Sequence, residues 1–377
     1  MLPAEDELRL RQAYDLAVEA VGLTEPNPRV GCVLASASGQ VVGTGHTQQA
    51  GGGHAEAMAL RAVVATGADI KGGTAWVTLE PCSHHGRTPP CCEALIAAGL
   101  ARVVVACGDP NPLVAGRGLA ALRLAGIQVD LVEGEMGKAS RELNIGFFSR
   151  MIRKRPWVRM KVAASLDGVT ALSNGESQWI TGPLARADGH AWRRRASAVL
   201  TGVGTVCADD PRLDVRLVPT ASQPLRVVVD SRLQMPLTSR LLAPPGQVLV
   251  ATAIADPDRC AGLLALGAQV NELPAEDGHV HLPSLMDHLA ERGINEVHVE
   301  AGATLNGALL EAGLVDELVI YLGPCLIGPG RAMAALGPLQ RLSDQIALQF
   351  TDLQTLGSDL RIVARVQGRD DFLQARV

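Results

Sequence analysis

His54-Ala55-Glu56, followed after one apolar segment by Pro81-Cys82 and then Cys91, is the stretch whose reading decides the fold. One His and two Cys supply three protein ligands for a tetrahedral Zn²⁺, and the fourth position stays open for a water that the metal acidifies. Glu56 stands two residues beyond the His. If His54 opens a helix, that offset keeps the carboxylate off the metal but close to the open position, where it can carry a proton. A structural zinc usually fills all four positions and needs no such carboxylate, so Glu56 argues for a catalytic site.

His-x-Glu followed by Pro-Cys and a second Cys is the zinc deaminase arrangement, with the Glu as proton shuttle and not as ligand. Eight residues separate Cys82 and Cys91 here, where that pattern has two. The insert Ser83-His84-His85-Gly86-Arg87-Thr88-Pro89-Pro90 is polar and turn-rich and reads as a loop that leaves a strand and returns to a helix starting at Cys91. A Cys in a first helical turn is a good ligand, because the positive end of the helix dipole favours its thiolate.

Outward from this stretch, 377 residues suggest two domains, and 47% hydrophobic residues give both a core. A net charge of −5 and 3% aromatic residues offer neither the basic surface nor the stacking platforms of a nucleic-acid binder. The acidic N-terminus Met1-Leu2-Pro3-Ala4-Glu5-Asp6-Glu7 lacks the regions of a signal peptide, which predicts a cytoplasmic protein. Apolar runs such as Leu318 to Gly328 fall well short of the roughly 20 residues that cross a bilayer. Cys32, Cys107, Cys207, Cys260 and Cys325 read as small core residues and not as a disulfide framework.

Leu8 to Val21 carries apolar residues at helical spacing. Pro26-Asn27-Pro28 then forms a rigid turn into the strand Arg29 to Leu34, with a hairpin partner at Val41-Val42-Gly43. Asn27 either presents its amide to a ligand or simply makes the turn. Ala55 to Ala65 reads as helix, Thr74 to Leu79 as strand, Val103 to Ala106 as strand, and Asp109-Pro110-Asn111-Pro112 as a loop at that strand's carboxyl end. Such alternation gives an α/β sheet, whose ligands gather outside the carboxyl ends of its strands.

Together, Asn27-Pro28-Arg29-Val30-Gly31, His54-Ala55-Glu56, Thr78-Leu79-Glu80-Pro81-Cys82-Ser83-His84 with Gly86 to Cys91, and Asp109-Pro110-Asn111-Pro112 resemble the bifunctional pyrimidine deaminase and reductase family of riboflavin biosynthesis, RibD. The long Cys-to-Cys loop is specific to that family's deaminase half. The resemblance implies a cytidine-deaminase-like zinc domain over residues 1–150. It further implies hydrolysis of the 2-amino group of 2,5-diamino-6-(5-phosphoribosylamino)pyrimidin-4-one. His54, Cys82 and Cys91 would hold one Zn²⁺ per chain, Glu56 would shuttle protons, and Asn27, His84, Asp109 and Asn111 would contact the pyrimidine or ribose. Many relatives carry a His where this chain has Thr47, and His46 stands beside it.

Arg150 to Pro156 is a basic stretch ending in Pro and reads as an exposed boundary, a solvated linker in preference to a phosphate contact. Beyond it, Val158, Met160 and Val162 share one strand face, with Arg159, Lys161 and Ala163 on the other. The strand runs into the turn signal Leu166-Asp167-Gly168, and Trp179 beyond it reads most simply as core. Gly202-Val203-Gly204 follows an apolar strand but lacks the third Gly of a dinucleotide fingerprint. Val297 to Glu300 leads into Ala301-Gly302-Ala303 and a helix, either a cradle for a cofactor phosphate or an ordinary strand-to-helix connection.

Residues 156–377 resemble the family's reductase half, which implies a dihydrofolate-reductase-like fold and NADPH-dependent opening of the ribosyl group to ribityl. The resemblance puts Ala163, Trp179, Thr205, Asp209, Ser231 and the turn Gly302, Ala303, Thr304, Leu305, Asn306, Gly307, Ala308 at cofactor positions. Ser177, Arg193, Leu213, Arg216 and Glu300 match substrate positions, Arg193 and Arg216 suiting a phosphate because a guanidinium chelates two oxygens. Ala301 replaces a Gly of many relatives. The expectation is therefore a two-domain α/β enzyme acting on a phosphorylated small molecule, with no nucleic-acid or membrane partner and a possible homo-oligomeric state. The competing readings are a deaminase of free cytosine or tRNA bases with an unrelated second domain, and a zinc-stabilised scaffold without chemistry.

Overall fold

The computed structural model describes residues 2–84, 89–132, 134–254 and 256–374. Two compact units form, one from Met1–Lys154 with the terminal segment from Phe372, the other from Arg155–Asp371.

In the first unit α1 (Ala4–Glu19) precedes the hairpin β1 (Gly31–Ala35) and β2 (Val41–His46). Then follow α2 (Ala55–Thr66), β3 (Thr74–Val77), α3 (Cys91–Ala97), β4 (Arg102–Val105), α4 (Arg117–Leu124), β5 (Gln128–Leu131), α5 (Glu135–Leu143) and α6 (Ile145–Arg153). The sheet order is β2-β1-β3-β4-β5, with β1 antiparallel to both neighbours and β3, β4 and β5 parallel. Strand alternation sorts the faces. Val33, Ala35, Trp76 and Val104 meet Leu10 and Ala13 of α1 and Met136 of α5. Cys32 and Leu34 point the other way, paired across the hairpin with Gly45 and Gly43. On that face a Cβ at Gly43 would lie 2.4 Å from the Ala59 carbonyl, and one at Gly45 2.6 Å from the Ala55 carbonyl. Only glycine lets α2 lie this close to β2, and the first turn of α2 is thereby pinned over the sheet.

Asp6, in the first turn of α1, is buried and accepts a hydrogen bond from Trp76 Nε1 at 2.7 Å and two from Arg102 at 2.8 Å. These charge-assisted bonds tie the start of the chain to β3 and β4. The stretch Arg150–Arg153, expected as linker, instead continues α6. Phe147 and Phe148 are buried on this helix, and the chain leaves it at Lys154, in the left-handed region at φ 62°. Apolar spacing across Phe147, Phe148 and Met151 outweighs the basic residues interspersed among them.

The second unit holds β6 (Trp157–Ser165), β7 (Val169–Leu172), α7 (Pro183–Arg195), β8 (Ala198–Gly202), α8 (Val203–Asp209), β9 (Leu225–Val229), β10 (Val248–Thr252), α9 (Pro257–Ala265), β11 (Gln269–Glu272), α10 (Leu282–Glu291), β12 (Glu296–Val299), α11 (Ala303–Glu311), β13 (Glu317–Gly323), β14 (Gly330–Ala332), β15 (Leu348–Leu356) and β16 (Asp359–Val366). Nine strands form one sheet in the order β11-β10-β9-β8-β12-β6-β13-β16-β15, parallel from β11 through β13 and antiparallel at β16 and β15. On one face Val158, Met160, Val162, Val297 and Val299 join the core.

On the other face Arg159 is buried between Glu296 at 2.7 Å and Glu317 at 2.5 Å, under the ring of Trp192 from α7. This charged face is covered by a helix and not by solvent. Cys32 and Cys107 are buried as expected of core cysteines, whereas Cys207 and Cys325 are exposed. Trp179 is 68% exposed, with the Arg186 guanidinium 4.4 Å from its ring centre, and so is not a core residue. Among the described residues, no helix is long and apolar enough to cross a membrane.

Candidate active sites

Three chain reversals beyond the carboxyl ends of β2 and β3 bring the first unit's chemistry together. His54 is the N-cap of α2, Cys82 follows the carboxyl end of β3, and Cys91 is the first residue of α3. His54 Nδ1 lies 3.5 Å from Cys82 Sγ and 3.4 Å from Cys91 Sγ, and the three donor atoms fall within 4.8 Å of one another. Zn–S and Zn–N bonds at a tetrahedral angle span roughly 3.6 Å between N and S, so the donors fit zinc. The Cys91 N–H donates to Cys82 Sγ at 3.3 Å.

Charge in the site matches that donor set. The Cys82 thiol is pulled down to about 4, first by the hydrogen bond from the Cys91 side chain and then by the one from His54. Cys91 moves the opposite way, because a neighbouring thiolate holds its proton and burial adds to the effect. A dication at the same place replaces both protons. Glu56, 3% exposed, is raised to about 7 by burial and by the Cys82 thiolate. Its position in the first turn of α2, two residues after His54, puts a carboxyl near the three donors without making it a fourth.

A cavity of about 450 Å³ opens onto this cluster, lined among others by Asn27, Thr47, His84, Asp109 and Asn111. Asn27 sits where its N–H bonds the Thr24 carbonyl at 2.9 Å. His84 Nδ1 is buried and has no hydrogen-bond partner among the described residues. Burial, with Glu80 and Cys82 as neighbours, raises Asp109 to about 7. His85, Gly86, Arg87 and Thr88 of the intervening loop lie outside the described residues. His46 faces α1, its Nδ1 3.6 Å from Glu19, and Thr47 occupies the cavity wall. Strand parity explains this: residue 45 faces α2, so residue 46 cannot.

Two contributors were not assigned from sequence. Glu80, 3% exposed, accepts backbone N–H bonds from Asp109 (3.3 Å), Gly116 (3.0 Å), Gly118 (3.0 Å) and Leu119 (3.3 Å). Its carboxylate thus holds the loop that carries Asp109 and Asn111, together with the start of α4. The acidic residue just before Pro81-Cys82 was the available signal. Phe147, Arg150 and Met151 of α6 also line the cavity, and the apolar spacing of that helix could have shown it.

In the second unit the resemblance-derived positions gather at the carboxyl ends of parallel strands. Ala163 lies on β6, Thr205 and Asp209 on α8 just after β8, Ser231 after β9, and Glu300 and Gly302 after β12. Alternation along β12 puts Glu296, His298 and Glu300 on the α7 face. There Glu300 is bound by the Arg193 guanidinium through both Nε and Nη2. Lys161 Nζ stands 3.9 Å and His298 Nε2 3.5 Å from the same carboxylate. Although burial works against it, Arg193 and Lys161 hold Glu300 well below the usual carboxylate range. In the sequence Lys161 stood out only as a residue on the strand face opposite Val158, Met160 and Val162.

Arg193 also donates to the Asp214 carbonyl at 3.0 Å, so its fork is occupied within the protein. Arg216, on the loop after Leu213, pairs with Asp214 at 2.7 Å and remains 46% exposed. Leu213 is buried with φ 53°, so its backbone and not its side chain is what it offers. Ser177 and Trp179 follow β7.

The N-terminus of α11 is capped by Gly302, where a Cβ would meet only Thr205 Oγ1, at 3.8 Å. A Cβ at Gly204 would meet nothing within 4 Å. Open space beside the unsatisfied N–H groups of Ala303, Thr304 and Leu305 suits a cofactor phosphate. Further along the turn Asn306 and Gly307 face inward: Asn306 Nδ2 bonds the Met333 carbonyl at 2.8 Å, and a Cβ at Gly307 would strike the Ala335 carbonyl at 2.1 Å. Ala308 lies in the second turn of the helix.

Comparisons with known proteins bear on both units. Residues 3–107 match the cytidine and deoxycytidylate deaminase zinc-binding region, and residues 156–362 match the RibD C-terminal domain. The chain is 45% identical over 373 residues to the riboflavin biosynthesis protein RibD of Escherichia coli K12, covering 94% of this chain and 98% of that one. It is 40% identical to that of Bacillus amyloliquefaciens, covering 95% and 96%. Among solved structures, Acinetobacter baumannii RibD superimposes with a TM-score of 0.86 at 41% identity, over 96% of this chain and 98% of that one. The Thermotoga maritima diaminohydroxyphosphoribosylaminopyrimidine deaminase/5-amino-6-(5-phosphoribosylamino)uracil reductase does so with a TM-score of 0.84 at 31% identity, over 96% and 99%.

Proposed function

The chain belongs to the RibD family of riboflavin biosynthesis proteins, and on that premise we propose how its residues divide the family's two reactions. The enzyme hydrolyses the 2-amino group of 2,5-diamino-6-(5-phosphoribosylamino)pyrimidin-4-one, releasing ammonia. It then reduces the ribosyl group to ribityl, giving 5-amino-6-(5-phosphoribitylamino)uracil. Deamination belongs to residues 1–150 and reduction to residues 156–377.

His54, Cys82 and Cys91 would hold the zinc ion, which when bound would supply Lewis acidity at the open position. Glu56 takes a proton from water and delivers it to the departing amine. The observation that carries this reading is the buried Glu56 carboxyl against a three-donor set in a cavity, since a structural metal site has no use for it. Asn27, His84, Asp109 and Asn111 orient the pyrimidine and ribose from the cavity wall.

NADPH supplies the hydride in the second unit. Ala163, Trp179, Thr205, Asp209, Ser231 and the turn from Gly302 to Ala308 form its bed, with the backbone N–H groups of Ala303, Thr304 and Leu305 meeting phosphate. Glu300 addresses the substrate, together with Ser177 and the backbone of Leu213. Arg193, engaged by Glu300, fixes that carboxylate, and the more exposed Arg216 offers its guanidinium to the phosphate. The partner is a small phosphorylated pyrimidine and neither nucleic acid nor membrane, in a cytoplasmic enzyme.

Mass spectrometry of the protein with the diaminopyrimidine, with and without NADPH, tests both halves. Without NADPH the deaminated ribosylaminouracil accumulates; with it the ribitylamino product appears. An unchanged substrate in both reactions refutes the assignment.

A further inference from the structure

The substrate carries a phosphate on its ribose, and a phosphate in the first cavity needs a cation. Of the other ionisable residues around that space, Glu56, Glu80 and Asp109 are acids, His54 and Cys82 belong to the metal set, and His84 is assigned to the pyrimidine and ribose. Among the described residues lining the cavity, Arg150 is the one Arg or Lys.

Its surroundings set it apart from a solvated surface arginine. α6 presents Phe147, Arg150 and Met151 to the same cavity. The guanidinium lies 5.8 Å from the Phe147 ring centre, and Nη2 donates to the Pro26 carbonyl at 3.3 Å, a long contact. Partial burial weakens its hold on its proton, and Glu25 acts the other way; its planar guanidinium can meet two phosphate oxygens at once. Arg29, the nearby alternative, is committed to Glu25 at 2.9 Å and to the Leu143 carbonyl at 2.9 Å, and it does not line the cavity.

We propose that Arg150 is a specificity residue of the deaminase half, its guanidinium receiving the substrate phosphate while the pyrimidine lies against Glu56. The inference rests on reading this cavity as the deaminase site. It makes the basic end of α6 part of substrate recognition: a pyrimidine lacking the phosphate forgoes this contact, and binding energy far from the reacting carbon helps to hold the ring in place.

The test measures ammonia release from the phosphorylated diaminopyrimidine and from the same compound treated with phosphatase. Wild-type enzyme prefers the phosphorylated form. In Arg150→Ala the KM for that form rises on the order of 10- to 100-fold, the range of a lost charge-assisted contact. The KM for the dephosphorylated form changes little, so the preference collapses, and Arg150→Lys recovers part of it. Arg150→Gln gives a second reading should the alanine variant fold poorly, with bound zinc and NADPH oxidation on the deaminated pyrimidine certifying the chain. Equal losses on both substrates, a preference that survives the substitution, or a wild type without any preference overturns the proposal. A wild type that releases ammonia from neither substrate overturns the deaminase reading itself.

Discussion

Replacing Glu80 by Gln keeps the shape of the side chain and changes one oxygen from acceptor to donor. In the native chain Oε1 serves Gly118 and Leu119, and Oε2 serves Asp109 and Gly116. A glutamine satisfies one pair and turns an NH₂ towards the other, leaving two N–H groups without an acceptor. At about 1.5–3 kcal/mol for each bond to a charged group the ceiling is about 3–6 kcal/mol. Relief from burying the charge brings the expected loss to about 2–4 kcal/mol. The loss should be local. Amide hydrogen exchange at Asp109, Gly116, Gly118 and Leu119 should quicken on the order of 100-fold, since each 1.4 kcal/mol is a factor of ten. Because the loop carries Asp109 and Asn111, the KM for deamination should rise while NADPH oxidation on the deaminated pyrimidine is unaffected. Native exchange rates at those amides would refute the reasoning, as would a loss of protection spread evenly over the first unit.

Glu56→Gln should keep the metal, lower ammonia release by on the order of 10² to 10⁴, and leave the reductase half working, as paired metal analysis and half-reaction assays will show. Cys82→Ser should lower zinc occupancy and abolish deamination, with elemental analysis as the check; full activity in a metal-free protein would contradict it. Gly302→Val should fold, because the nearest atom to its Cβ is 3.8 Å away, yet raise the KM for NADPH by filling the space beside the turn. Unchanged NADPH kinetics would remove that turn from the cofactor site. His190 is held at about 4, below its ordinary 6.5, by burial and by Arg193 and Arg216, while its Nδ1 accepts the Arg216 N–H at 3.2 Å. A depressed pKa favours the neutral ring in the folded state, so this part of the stability is present above about 6.5 and is lost as pH falls through about 4. His190→Gln should flatten the pH dependence of the urea midpoint in that window; an unaltered slope would rule the histidine out.

The zinc donors were legible because ligand chemistry demands particular residue types at particular reversals, and His54, Cys82 and Cys91 each sit at one. The hairpin and the α/β alternation were legible for a related reason: Cys32-Val33-Leu34 and Val103-Val104-Val105 are buried on both faces and read as continuous apolar runs. Burial of charge was not legible. Glu80 and Arg159 look in sequence like any surface residue, and their role depends on partners at long range such as Leu119 and Glu317; Glu300 was placed by resemblance, without its pairing to Arg193. Local composition also misled at Arg150 to Arg153, where the basic residues suggested a linker and the packing of Phe147 and Phe148 made a helix. Trp179 failed as a core expectation because its ring lies on an arginine and not in apolar packing.

The bond from Trp76 to the buried Asp6 makes that indole an optical reporter for half of the molecule. Of the four tryptophans, only Trp76 lies in the first unit, while Trp157, Trp179 and Trp192 lie in the second. A version with phenylalanine at those three positions would emit from Trp76 alone. Its emission would stay blue-shifted while α1 is docked and move red when Asp6 lets go. Fluorescence of the intact chain could then follow loosening of the deaminase half against denaturant, chelator or pH, without cutting the protein in two.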